Sequence, residues 1–454
     1  MTRTQIEHPS VMDLARYHLN VSLLGRGYLR ADRLRSEVKQ RYRLASGSFA
    51  ARNPHFGPPI QSAGRLKELI SNHYLEGRHA RPSRKVAWVT SGAPVEFLVA
   101  LDYHLFYPEN HGAICGVRRT AVALSKVAEE QGYSRDICSY ARTDLGSVFT
   151  GETPVGVIPR PDLLVCCTNI CQTVLHWYRV LAEHFDVPLV LIDTPFIYTE
   201  ATPQAVLFVE KQIEEAMFVA ERTAGRSLDA RKLRRTMERS AHAVALWAEV
   251  MQRGSFRPAP ILAFDEFFHM SPIVQMRGQQ RTVDYYRLLL AELDNRVQRG
   301  IGALADERKR VLWDNLPVWY RLRELSVLLA ERGVALVAST YTNAWGELAE
   351  LVDPDKPLRS MAQIYLHPIL NRGTGRKLAT MKQMARDFEA DGVILHSDRS
   401  CKPYSIGQVD ERALIAGELG VPALLLEADH NDERAYSEEQ AATRLAAFLE
   451  VLES

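Results

Sequence analysis

The chain has 454 residues, of which 46% are hydrophobic and 24% are charged, a composition typical of soluble globular proteins. The net charge of +1 gives no sign of a surface for nucleic acid or membranes, and no apolar run reaches the length of a membrane span. Six unevenly spaced cysteines do not resemble a disulfide framework, and residues 1–8 lack a hydrophobic signal region. We therefore expect a cytoplasmic protein of two to three domains.

The first predicted element is a helical N-terminal segment over residues 1–80. Residues 11–42 carry apolar side chains at helical spacing among many arginines. A loop with prolines at residues 52–59 ends this pattern, which resumes at residues 66–74. The segment is therefore expected to contain at least two helices.

A first α/β domain is predicted over residues 81–202. Apolar strands are expected at residues 85–90, 163–167 and 188–192, and helical stretches lie between them. Strands that alternate with helices in this way are typical of a parallel sheet.

A helical connector and a second α/β domain complete the predicted fold. Residues 203–305 are charged and helical in period, with helices expected at residues 204–223, 229–253 and 282–297. The second domain is predicted over residues 306–454. Its strands are expected at residues 309–313, 335–339, 392–395 and 422–427. The sequence thus predicts an α/β protein with two parallel sheets.

Three cysteines share one predicted setting. Cys115, Cys171 and Cys401 each lie near the carboxyl end of a strand and the amino end of a helix. In open parallel sheets ligands bind at that edge, and three thiolates there could hold an iron–sulfur cluster with one iron left without a cysteine. The helix start and the basic neighbours of Cys401 are expected to favour its thiolate. Taken singly, each of the three could equally be a core residue.

The other cysteines are predicted to be structural. Cys166 and Cys167 lie inside an apolar strand, where a cysteine is usually a small core residue. Cys138, in a short polar stretch between predicted helices, receives the same interpretation.

Three motifs resemble the 2-hydroxyacyl-CoA dehydratase/benzoyl-CoA reductase family. They are residues 91–96 (Ser-Gly-Ala-Pro-Val-Glu), residues 107–112 (Tyr-Pro-Glu-Asn-His-Gly) and residues 396–408 (His-Ser-Asp-Arg-Ser-Cys-Lys-Pro-Tyr-Ser-Ile-Gly-Gln). The resemblance runs from about residue 85 to the C-terminus and is most specific around Cys401. One departure is Glu433, where family members often carry proline.

The resemblance implies a fold, a cofactor and site residues. Family members have two flavodoxin-like domains with a [4Fe-4S] cluster between them, held by three cysteines of each subunit. The matching positions here are Cys115, Cys171 and Cys401. The catalytic serine and glutamate of the family correspond to Ser91 and Glu109, although either could instead cap the helix that follows it.

The resemblance also implies a reaction and partners. An (R)-2-hydroxyacyl-CoA loses water to give a 2-enoyl-CoA, and the unactivated β-proton is made acidic by one electron that converts the thioester to a ketyl radical. Because this chain has no G-x-x-x-x-G-K-[ST] phosphate loop, a separate ATP-dependent iron–sulfur activator must supply that electron. A related second subunit is expected, in a heterodimer or a homodimer. The alternatives are an aryl-CoA reductase subunit, a double-cubane-cluster reductase, and a non-catalytic CoA-binding structural subunit.

Overall fold

Two four-stranded parallel sheets form the framework of the computed structural model, which describes residues 10–81 and 83–453. The predicted α/β class is therefore confirmed. The first sheet consists of β1 (Val86–Val89), β2 (His104–Phe106), β3 (Leu163–Cys167) and β4 (Leu189–Ile192). The second consists of β5 (Lys309–Asp314), β6 (Val334–Ser339), β7 (Gly392–Asp398) and β8 (Ala423–Ala428).

The two sheets have the same topology. Their strand orders are β2-β1-β3-β4 and β6-β5-β7-β8, and every neighbouring pair is parallel. This order is that of flavodoxin-like domains, in which ligands bind at the carboxyl ends of the strands where the order reverses. The reversal lies between β1 and β3 in the first sheet and between β5 and β7 in the second.

Helices precede, separate and follow the strands. The N-terminal segment contains Val11–Tyr17, a π-helical stretch His18–Gly25, Arg26–Ala45, Ser48–Arg52 and Ala63–Arg78. The helices of the first sheet are Glu96–Ala100, Pro108–Val117, Ala121–Glu130, Ser139–Thr150 and Thr173–Phe185. The connector contains Pro203–Ala224, Ala230–Gln252, Ala263–His269, Ser271–Gln275 and Gln280–Gln298.

The second sheet carries its own set of helices. They are Leu322–Glu331, Thr340–Gly346, Pro357–Leu366, Thr374–Asp387, Lys402–Ser405, Gln408–Leu419 and Glu438–Glu453. Short 3-10 turns occur at Arg253–Ser255, Trp319–Arg321, Ala349–Leu351, Ile369–Asn371 and Glu433–Ala435. The long connector helices lie within two residues of their predicted bounds. The division of the chain into four segments remains a prediction.

Two hydrophobic cores hold these layers together. Alternate residues of β1 point to opposite faces, so Val86 and Trp88 enter one core and Ala87 and Val89 enter the other. The first core joins one face of the first sheet to the second sheet, including Trp313 of β5. The second core packs the opposite face of the first sheet against the connector and parts of the second half. The strand ends of the two sheets are thereby held near each other.

Both cysteines predicted to lie in β3 are core residues. Cys166 belongs to the first core and Cys167 to the second, and both are fully buried. Over residues 10–81 and 83–453, no helix is both long enough and apolar enough to cross a membrane.

Candidate functional site

A cavity of about 180 Å³ lies where the carboxyl ends of the two sheets meet. The loop after β1 contributes Ser91, and the loop after β3 contributes Cys171. Cys401, in the loop after β7, lies on the same cavity, and the connector closes it with residues such as Met270. The site therefore takes its walls from both halves of the molecule.

Three free cysteines line this cavity: Cys138, Cys171 and Cys401. Each lies at the amino end of a helix. Cys138 directly precedes Ser139–Thr150, and Cys401 directly precedes Lys402–Ser405. Cys171 lies two residues before Thr173–Phe185. Of the three predicted ligands, the structure therefore brings together Cys171 and Cys401.

Cys115, the third predicted ligand, is not among the described residues that line the cavity. It lies inside the last turn of the helix Pro108–Val117 and is fully buried against Ala121 and Leu124. Its Sγ lies 3.6 Å from His111 Nε2. The position of Cys115 does not support the predicted assignment, and Cys138 occupies the place expected for it.

The signal that would have selected Cys138 was the one used for the other two. A cysteine at a helix start was the criterion, and Cys138 meets it whereas Cys115 does not. The sequence between residues 108 and 130 reads as one helical stretch that begins near Cys115. The chain instead ends a helix at Val117 and starts another at Ala121. The predicted helix start near Cys115 is therefore wrong, and the sequence argument for Cys115 as a ligand loses its basis.

Burial controls the chemistry of these thiols. It raises the pKa of Cys171 to about 12, with a smaller contribution from the neighbouring Cys138. Burial also raises the pKa of Cys401 well above its ordinary value, and Asp398 and the two other thiols add to this. The environment favouring a thiolate that the sequence predicted at Cys401 is therefore not found. Thiols in such a setting release their protons when a metal binds.

The donor set suits an iron–sulfur cluster. Three thiols from three separate elements meet on one largely apolar cavity, and thiolate sulfur is the usual protein ligand of such clusters. A fourth cysteine is not present among the described lining residues. The arrangement thus fits a cluster held by three cysteines.

A buried ion pair contacts the segments that carry Cys401 and Cys138. His430 Nδ1 lies 2.7 Å from Asp398 Oδ2, and both side chains are fully buried. Burial alone would raise the pKa of Asp398 and lower that of His430, but their mutual attraction reverses both shifts. Asp398 Oδ1 accepts from the backbone N–H groups of Ser400 at 3.1 Å and Cys401 at 3.3 Å. This carboxylate therefore fixes the loop that carries Cys401.

The same histidine reaches the first half of the chain. His430 Nε2 lies 2.8 Å from Ser139 Oγ and 3.9 Å from Cys138 Sγ. Sequence reasoning missed both Asp398 and His430. Their position at or just after the carboxyl ends of β7 and β8 was the available signal, because side chains there meet at one edge of the sheet.

Ser91 and Glu109, the predicted catalytic pair, both line the cavity. Glu109 Oε1 accepts a hydrogen bond from the Ser91 backbone N–H at 3.0 Å. Within the described part of the chain, Glu109 Oε2 is buried and has no hydrogen-bond partner. Burial raises the pKa of Glu109 to about 7. Its carboxyl group is therefore poised to hold or release a proton near neutral pH.

The loop that carries Ser91 is held by a close packing contact at Gly92. A Cβ atom at this position would lie 2.5 Å from Asn169 Oδ1 and 2.8 Å from Ile170 Cγ2. Asn169 Nδ2 donates to the Gly92 carbonyl at 2.8 Å. The loops after β1 and β3 can therefore approach this closely only because residue 92 has no side chain.

Comparisons with known proteins match most of the chain. A family model described as 2-hydroxyglutaryl-CoA dehydratase, D-component, matches residues 90–452. The chain is 31% identical over 392 residues to the (R)-2-hydroxyisocaproyl-CoA dehydratase alpha subunit of Clostridioides difficile, covering 86% of this chain and 95% of that protein. It is 28% identical over 413 residues to the lactoyl-CoA dehydratase subunit alpha of Anaerotignum propionicum, covering 86% and 97%. It is also 28% identical over 403 residues to a subunit of the benzoyl-CoA reductase of Thauera aromatica, covering 85% and 93%.

Proposed function

Because the chain belongs to the family of the 2-hydroxyglutaryl-CoA dehydratase D-component, we propose that it is the iron–sulfur subunit of a 2-hydroxyacyl-CoA dehydratase. The reaction removes water from an (R)-2-hydroxyacyl-CoA and gives a 2-enoyl-CoA. The bond from C2 to its hydroxyl oxygen and one C3–H bond break, and the hydroxyl and the proton leave together as water. No electron is consumed overall.

Cys138, Cys171 and Cys401 would hold a [4Fe-4S] cluster. Their three free thiols on one cavity are the single observation that carries this proposal. When bound, the cluster supplies a single electron and an iron atom without a cysteine ligand. Cys115 takes no part, since its side chain is buried among Ala121 and Leu124.

Glu109 holds the proton that the elimination moves. Its Oε1 is fixed by the Ser91 N–H, which leaves Oε2 free to face the substrate. With a pKa near 7, the carboxyl group can donate a proton to the departing hydroxyl and regain one from C3. Ser91 Oγ lies 3.4 Å from Asn110 Oδ1. In this proposal it forms a hydrogen bond with the hydroxyl or carbonyl oxygen of the substrate.

The enzyme works with two other proteins in this proposal. The Clostridioides difficile and Anaerotignum propionicum relatives are named as alpha subunits, which supports a related second subunit for this chain. A separate ATP-dependent iron–sulfur activator delivers the electron, because the sequence lacks a phosphate loop of its own.

The test combines cofactor content with turnover. Protein purified without oxygen is assayed for iron and acid-labile sulfide, and then for enoyl-CoA formation with the second subunit, the activator, ATP and a reductant. We expect about four irons per chain and product that requires ATP. Protein without iron or sulfide after anaerobic reconstitution would contradict the proposal and favour a structural CoA-binding subunit.

An aryl-CoA reductase subunit is the second candidate. It is supported by the identity to the benzoyl-CoA reductase of Thauera aromatica and by two tryptophans, Trp177 and Trp345, on the cavity wall. The two reactions differ in electron balance. A dehydratase forms many product molecules for each electron supplied, whereas a reductase consumes electrons in proportion to product.

A further inference from the structure

Residues from both hydrophobic cores line the cavity. Cys138 and Cys171 pack against the first core, together with Ile170 and Leu316. The second core contributes four buried apolar side chains to the lining, Met270, Val274, Trp345 and Leu348. We refer to these four residues as the apolar wall.

The apolar wall is fixed in place by a buried cation. The Arg277 guanidinium lies 4.0 Å from the centroid of a Trp345 ring, and Arg277 Nε lies 3.1 Å from Glu96 Oε1. Arg277 Nη2 also donates to Tyr365 Oη at 2.6 Å. Stacking on a buried, fully bonded arginine restrains the indole, so Trp345 presents a defined aromatic surface.

This cation is not available to an anionic ligand. Arg277 is only 1% exposed, and all three of its guanidinium nitrogens donate within the protein, including Nη1 to the Ile273 carbonyl at 3.0 Å. The negative charge of Glu96 balances the positive charge of Arg277. A carboxylate in the cavity would therefore gain little from it.

The rest of the cavity offers no better partner for a carboxylate on the acyl side chain of a substrate. Among the described residues that line it, Lys402 is the only cation, and its side chain is exposed and lies 2.5 Å from the Arg399 carbonyl oxygen. Glu109, the one acid among the described lining residues, would repel a carboxylate when ionised. A charged group moved from water into such a place loses hydration without compensation.

Building on the proposed dehydratase function, we infer that the apolar wall binds the side chain of the acyl group, and that this side chain is uncharged and either branched aliphatic or aromatic. A 2-hydroxyacyl-CoA with a second carboxylate is rejected. Selectivity comes both from contact with Met270, Val274, Trp345 and Leu348 and from the absence of a free cation beside them among the described lining residues.

Binding of unreactive thioesters tests this inference directly. Thioesters without a 2-hydroxyl cannot eliminate water, so their dissociation constants are measured by calorimetry on the cluster-loaded protein with its second subunit. The probes are 4-methylpentanoyl-CoA, 3-phenylpropanoyl-CoA, glutaryl-CoA and free CoA. We expect both apolar thioesters to bind about 100-fold more tightly than glutaryl-CoA, since an unpaired buried carboxylate is strongly disfavoured.

The outcomes separate this inference from the proposed function. If no thioester binds more tightly than free CoA, the proposed function fails, and this inference fails with it. If glutaryl-CoA binds within threefold of the apolar thioesters, the inference is overturned while the proposed function stands. Loss of that glutaryl-CoA affinity in Lys402→Gln would then identify the cation that was responsible.

A variant pair sharpens the assignment of the wall. Leu348→Arg places a cation there and should reverse the preference, strengthening glutaryl-CoA and weakening 4-methylpentanoyl-CoA at least 10-fold each. Leu351→Arg, three residues further on and not among the described lining residues, is the matched control and should keep the wild-type order. An unchanged order in a folded Leu348→Arg protein contradicts the assignment. If that variant does not fold, Leu348→Ala serves, with about a 10-fold loss expected for 4-methylpentanoyl-CoA only.

Discussion

The carboxyl-end edges of the two sheets have the same topology, but carboxyl groups at the two edges differ in their hydrogen bonding. At the first edge, Glu109 keeps one buried oxygen for which the described residues provide no partner. At the second edge, both oxygens of Asp398 and both oxygens of Asp314 accept hydrogen bonds or pair with a cation. One copy of the fold thus leaves a carboxyl group free to exchange a proton, and the other uses its carboxylates to hold loops still.

The largest effect should come from the cysteines that join the two edges. Cys138→Ala and Cys401→Ala should each lose nearly all cluster iron, because a cluster already bound by only three cysteines is left with two. Iron and sulfide content and the visible absorption of anaerobically purified protein measure this. Cys115→Ala is the matched control and should retain its iron, since the thiol lies in a separate small core. Loss of iron in Cys115→Ala with full retention in Cys138→Ala would restore the assignment predicted from sequence.

Glu109→Gln tests whether the free carboxyl group of the first edge acts in proton transfer. The change keeps the shape of the side chain and removes its ability to titrate, so turnover should fall about 10²–10⁴-fold. Iron content and thioester binding should stay at wild-type levels. Glu324→Gln, which changes an exposed glutamate paired with Arg119, is the control. Full turnover in Glu109→Gln would leave this residue with the structural role of fixing the Ser91 loop.

His430→Ala tests the tightly bonded second edge. The variant leaves Asp398 buried without its counter-charge, which typically costs about 3–5 kcal/mol of the free energy of unfolding. Denaturant unfolding of the cluster-free protein measures the change. Glu438→Gln removes an exposed partner of Arg321 and should cost less than about 1 kcal/mol. Equal effects of the two variants would show that the buried pair does not support the fold.

The titration of Glu109 gives the first edge a pH-dependent stability. Its pKa is about 7 in the folded protein against 4.5 for an ordinary glutamate, so the folded state keeps a proton that the unfolded state has released. This difference in pKa contributes on the order of 3 kcal/mol to the free energy of unfolding. The contribution is fully present below pH 4.5 and is lost as the pH rises to 7. Comparing unfolding of the wild type and Glu109→Gln between about pH 5 and 8 isolates this contribution. Parallel curves would contradict it.

Ser91→Ala should have the smallest effect of the series. The Ser91 N–H that fixes Glu109 is kept, and only the hydroxyl is lost, so turnover should fall about 10-fold, as for one neutral hydrogen bond. Steady-state rates at saturating acyl-CoA provide the measurement. A loss as large as that of Glu109→Gln would mean that the hydroxyl itself moves the proton.

Long periodic segments were predictable from the sequence, and short or tertiary features were not. The three long connector helices and seven strands were found because their apolar patterns extend over several residues, whereas the short connector helices Ala263–His269 and Ser271–Gln275 were not. The strand β2 was missed, since it has three residues and follows directly on a turn at Asp102 with φ of 66°.

The candidate site shows the same division. Local sequence selected Cys171 and Cys401, the family resemblance selected Ser91 and Glu109, and all four line the cavity. Cys138 was not selected, because the helix that begins at Ser139 was not recognised in the sequence. The Asp398–His430 pair depends instead on two strand ends lying side by side.

The three cysteines of the site come from distant parts of the chain, and this constrains when the site can form during synthesis. Cys171 and Cys401 are separated by 230 positions, and the strands β5, β6 and β7 of the second sheet lie between them in the chain. Contacts this distant in sequence cannot form until both segments have been synthesised, and closing so long a loop slows folding. The ribosome will therefore have released nearly the whole chain before three thiols can meet. If the proposed cluster is bound, its insertion is consequently a step on the nearly complete fold, and a chain interrupted before Cys401 would present only two of the three proposed ligands.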